Sequence, residues 1–102
     1  WTFRKWSNGK IEAWGTDSKS IACTTSSAPY GGYRTANEIT WSIPSGIFSD
    51  TPDYVFGMKN GSNAFKLVNL RAISATQLGG FISCGTSATQ TVQMSFYVVK
   101  KS

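Results

Sequence analysis

The chain contains no histidine, which excludes Ser-His-Asp and Cys-His nucleophile systems and histidine-based metal centres. Its carboxylates are Glu12, Asp17, Glu38, Asp50 and Asp53, and a glycosidase would have to draw both its acid and its nucleophile or base from these. Asp50 and Asp53 are the closest pair, in Asp50-Thr-Pro-Asp53. Aspartate beside a proline-marked turn caps backbone N–H groups, and that role is expected here. The Gly-Gly pairs sit between strand-like runs and lack the Lys-Ser/Thr or the following helix of a phosphate loop. Asn60-Gly-Ser62 has the form of a glycosylation acceptor, but a hairpin turn explains the same residues. No catalytic residue, cofactor or metal is therefore expected, and binding is the chemistry left.

Three residues are the candidate ligand contacts. Tyr30, Tyr33 and Arg34 lie in and just after the loop Pro29-Tyr30-Gly31-Gly32-Tyr33, where burial is hard and an exposed ring needs a reason. Tyrosine offers a flat amphipathic surface at low entropic cost, and Arg34 offers a planar fork to a phosphate or carboxylate. Contact between subunits is the competing role. Trp1, Trp6 and Trp14 form another aromatic group, read as cross-strand packing in preference to a sugar-stacking platform.

The elements that position these residues are strands. Two aromatic runs flank Asn8-Gly9, and an Asn-Gly pair suits a tight type I′ hairpin turn. Residues Ser20 to Thr25 read as a short strand, and Gly31-Gly32 as a turn. Ile39, Trp41 and Ile43 alternate onto one face of a strand ended by Pro44, which assigns Trp41 to the core. An irregular connection then carries Ile47 and Phe48. Residues 54–58 and 64–68 read as a hairpin about Asn60-Gly61, Asn69 to Ala75 as a strand, Gly79-Gly80 as a turn, and Phe81 to Cys84 as a strand. In the last strand Val92, Met94, Phe96 and Val98 face one way and Gln93, Ser95, Tyr97 and Val99 the other. No window carries the apolar spacing and caps of a helix. The expected fold is all-β: an antiparallel β-sandwich of roughly eight short strands, with a jelly-roll order admissible and a small barrel the alternative.

With 102 residues, residues 1–102 form a single domain around one core. Charged residues make up only 15% of the chain, low beside the ~25% of an ordinary soluble protein. The surface is thus rich in Ser, Thr, Asn and Gly, or covered by another chain. The net charge of +5 is scattered, with no basic run longer than Arg4-Lys5 or Lys100-Lys101. It serves solubility and encounter with anionic polymers such as phosphate-bearing cell-wall glycans, and nucleic acid is not an expected partner. No apolar stretch approaches the ~20 residues of a membrane span. Position 1 is Trp, as in a processed product or a domain cut from a longer protein.

The pattern Trp-x-x-Arg-Lys-Trp-x-x-Gly-x-x-Glu-x-Trp-Gly over residues 1–16 resembles a hairpin near the C-termini of tail-fibre and minor structural proteins of phages and prophages of Gram-positive bacteria. Phe48-Ser-Asp-Thr-Pro52 is similar to the Phe-x-x-x-Pro element of that family. The resemblance implies a homotrimeric C-terminal head, assembled in the host cytoplasm and carried on the phage tail with other tail or baseplate proteins. Such a head attaches the virion to a host cell-wall or surface saccharide, and no catalytic residue maps from the family. A structural trimerisation cap and a monomeric carbohydrate-binding module of a secreted enzyme are the alternatives. Cytoplasmic assembly also favours two inert, buried thiols at Cys23 and Cys84 over a disulfide closing the long loop between them.

Overall fold

In a computed structural model the chain is all-β, two antiparallel sheets packed face to face. The structure describes residues 1–27, 31–60 and 66–101. Nine strands lie among the described residues: β1 (Thr2–Lys5), β2 (Ile11–Cys23), β3 (Thr25–Ser26), β4 (Tyr33–Arg34), β5 (Ile39–Ser42), β6 (Tyr54–Asn60), β7 (Lys66–Ser74), β8 (Gln77–Cys84) and β9 (Ala88–Lys100). One sheet runs β1-β2-β9-β6; in the other, β8 pairs β7 on one side and β4 and β5 on the other, with β3 beyond β4. The strands are not uniformly short. β2 and β9 have 13 residues each and pair along their whole length, from Ile11 opposite Lys100 to Cys23 opposite Ala88.

The core follows the alternation of side chains across a strand. From β9, Val92, Met94, Phe96 and Val98 all point inward and are buried, as their period of two requires. They meet Ala13, Ile21 and Cys23 of β2, Trp41 of β5 with Ile43 just beyond it, and Leu78, Ile82 and Cys84 of β8. The irregular connection adds buried Ile47 and Phe48. Thr35 bridges the break between β4 and β5: its N–H donates to the Ile82 carbonyl at 3.0 Å, and its hydroxyl accepts from Ile82 N–H at 3.4 Å.

Several local expectations are corrected. The opening hairpin forms, but its turn is not type I′. Gly9 alone has positive φ, 93°, while Gly9 N–H donates to the Trp6 carbonyl and Trp6 N–H to the Lys10 carbonyl. This is a type I turn closed by a left-handed glycine, the three-residue hairpin loop. Residues 20–23 are the end of β2, not a separate strand. The strands on either side of Asn60-Gly61 enter different sheets, β6 on β9 and β7 on β8, and so do not form the expected hairpin; residues 61–65 lie outside the described residues.

Gly79-Gly80 is not a turn but the middle of β8, and β7 and β8 connect through Ala75-Thr76. Both glycines answer to close approach. A β-carbon on Gly79 would stand 2.7 Å from Glu38 Cδ and 2.6 Å from Ile73 Cδ1, and one on Gly80 would overlap the Asn69 carbonyl oxygen. Lastly, Cys23 and Cys84 are bonded to each other, not free. Cys23 ends β2 in one sheet and Cys84 ends β8 in the other, so alternation turns both sulphurs into the same gap between the layers.

Candidate functional site

Of the sequence-derived candidates, the two that lie among the described residues do not converge. Tyr33 and Arg34 are the two residues of β4 and so project to opposite faces of the sheet. Tyr33 packs against the core. Arg34 turns back on its own strand, its guanidinium donating to the Thr35 carbonyl at 3.1 Å. Tyr30 lies outside the described residues.

A different group comes together on the outer face of the β1-β2-β9-β6 sheet. Even-numbered residues of β2 point outward opposite buried Ala13, as do Tyr97 on β9 and Phe56 on β6, and the registers place Trp14 opposite Tyr97 and Tyr97 opposite Phe56. Three rings thus cross three strands in one row. Their centroids are 5.6 Å apart for Trp14 and Tyr97 and 6.2 Å for Tyr97 and Phe56. Trp14 is 40% exposed, Phe56 59% and the adjoining Met58 70%. A shallow depression of about 490 Å³ lies among Trp14, Phe56, Met58 and Tyr97, and a second of about 350 Å³ on the β1 side of Trp14 includes Thr2, Thr16 and Ser95.

Glu12, one step along the same face of β2, ties the row to the opening turn. Its Oε1 accepts the Trp6 indole N–H at 2.8 Å and its Oε2 accepts the Tyr97 hydroxyl. Lys10 Nζ stands 3.6 Å from Oε1. The Tyr97 hydroxyl, then the Trp6 indole, hold the Glu12 carboxyl below the ordinary glutamate range, and the bond to Glu12 in turn pushes the Tyr97 phenol up. Cations rest on the outer rings: Arg4 at 5.1 Å and Lys10 at 5.9 Å from the Trp6 centroid, and Lys101 at 5.4 Å from that of Tyr54.

Trp1 belongs elsewhere. Its ring lies parallel to buried Phe96, centroids 6.0 Å apart, in space left by the absent side chain of Gly15. Packing therefore accounts for Trp1, as expected, whereas Trp6 and Trp14 are on the surface. The signal for the row was parity: Trp14, Tyr97, Phe56 and Met58 each alternate with residues that face the core.

Two of the other carboxylates are held by neighbouring groups. Glu38 is held below its ordinary range by Arg71, and Asp53 by the backbone N–H of Lys101, with Lys100 Nζ 3.6 Å away. Among the described residues no group of three or more His, Cys, Asp or Glu side chains is arranged to hold a metal ion. No protein-family model, curated protein or solved structure matches this chain.

Proposed function

We propose that this domain is a non-enzymatic adhesion head of a phage tail fibre or baseplate protein, attaching to a host cell-surface saccharide through the aromatic face of the β1-β2-β9-β6 sheet. The observation that carries the binding reading is the row Trp14–Tyr97–Phe56 on the sheet's outer face, exposed at Trp14 and Phe56. Rings fixed on paired strands offer apolar surface to the C–H faces of sugar rings at small ordering cost. Around them Thr16, Ser95, Gln93 and Asn60 supply neutral hydroxyl and amide partners for sugar hydroxyls. Attribution to a phage fibre rests on the resemblance of residues 1–16.

The monomeric carbohydrate-binding module shares this support, because it too requires an exposed aromatic strip. Light scattering divides the two: a trimer favours the fibre head and a monomer the module. For the site, a Trp14→Ala/Phe56→Ala double variant is expected to stay folded and to lose retention on purified Gram-positive cell walls. Unchanged retention would overturn the assignment of this face, and dissociation of a trimer would turn it into a subunit contact.

A further inference from the structure

We infer that Glu12 is the positioning residue of the aromatic face, joining Trp6 to the row Trp14–Tyr97–Phe56 so that the surface takes a chain of several sugar units and not a single ring. The inference rests on the saccharide reading above. Three elements meet at this carboxylate: the opening turn through Trp6 and Lys10, β2 through Glu12 itself, and, from the far end of the sequence, β9 through Tyr97. Each carboxylate oxygen receives one aromatic donor, and the Glu12 side chain is only 13% exposed.

Trp6 is 44% exposed and sits at the mouth of a turn, beyond the last pair of β1. The bond to Glu12 gives its indole a fixed azimuth, and Arg4 and Lys10 lie over the ring. Tyr97 is the middle ring of the row, so one carboxylate sets both its centre and its extension. From β1 to β6 the sheet spans three strand spacings, roughly 14 Å, a length that a single sugar ring does not cover. Glu12 touches ligand in none of this; it acts through the rings it holds.

The experiment compares Glu12→Ala and Glu12→Gln with the unaltered domain in two readouts. The first is the Trp6 indole N–H resonance by NMR, which needs no ligand. The second is retention on purified Gram-positive cell walls. Glu12→Ala is expected to shift and broaden the Trp6 resonance and weaken retention roughly tenfold, the effect of about 1.4 kcal/mol in lost hydrogen bonding. Glu12→Gln keeps an acceptor for the indole and should preserve the resonance and most of the retention. An unmoved Trp6 resonance in Glu12→Ala would overturn the inference, as would a displaced one with retention unchanged. If the unaltered domain is not retained, the saccharide reading falls, while the resonance still reports whether Glu12 positions Trp6.

Discussion

Arg71 grips Glu38 with two arms of its guanidinium, Nε to Oε2 at 2.7 Å and a terminal nitrogen to Oε1 at 2.8 Å, and the pair lies over Gly79 of β8. The ion pair joins the chain just before β5 to β7 across the strand between them. That crossing needs a residue with no side chain beneath it.

The two glycines of β8 should therefore respond differently to alanine. At Gly79 the new methyl meets the ends of the Glu38 and Ile73 side chains, which can move. At Gly80 it meets the backbone oxygen of Asn69, which moves only by distorting the β7–β8 ladder. Gly80→Ala is expected to cost about 1–3 kcal/mol, and Gly79→Ala distinctly less. Urea denaturation of the two variants checks the order.

Trp1 and Gly15 form a coupled pair. Gly15→Ala should drive the indole off Phe96 and cost about as much as Trp1→Ala, roughly 2–3 kcal/mol for a partly buried ring. In the double variant the alanine methyl occupies space the ring has left, so the two losses should fall well short of adding. A double-mutant cycle measures this; simple additivity would show that Gly15 makes no room for Trp1.

The bond between Cys23 and Cys84 closes a sequence separation of 61 residues. In the chain-entropy model it restricts the unfolded ensemble by roughly 4 kcal/mol. Reductant should lower the denaturation midpoint accordingly. Alkylation of the denatured, unreduced protein should add no label, and uptake at both cysteines would refute the pairing.

Acid and base should both weaken the Glu12–Tyr97 link, from opposite sides. The folded pKa of Glu12 is lowered, so its contribution is present above the ordinary glutamate value and disappears as pH falls through the folded value. That of Tyr97 is raised, so its contribution is present below the ordinary phenol value, near pH 10, and disappears as pH rises beyond it. The Trp6 resonance should stay unchanged between these limits and move outside them. A shift near neutral pH would contradict the assignment.

Period-two alternation made much of the architecture legible. It put Val92, Met94, Phe96 and Val98 inside, assigned Trp41 to the core and turned Tyr97 outward, all as found. Glycine misled, because the same residue marks a turn at Gly9 and a close backbone approach at Gly80, and only the neighbouring strand tells them apart. Pairing across sheets was equally hidden: nothing local in Tyr54–Asn60 shows that it joins β9 and not the strand that follows. The Cys23–Cys84 bond is not legible in the sequence, because a compartment argument says nothing of two sulphurs aimed into one gap. At the site, cross-strand packing is the reading the opening tryptophans invite, and it holds for Trp1 on Phe96 and for Trp14 beside Tyr97, but it does not reveal that Trp14 is also exposed. The parity that exposes Trp14 becomes decisive only once Phe56 and Tyr97 are known to be its lateral neighbours.

The long ladder between β2 and β9 bears on how the protein is made. Residue 11 pairs with residue 100, so the central seam of one sheet unites the two ends of the sequence, and contacts this distant make folding slow and cooperative. During synthesis β2 has no partner strand on that side until β9 has left the ribosome. Until then its unpaired row of N–H and C=O groups must be kept from pairing with other copies.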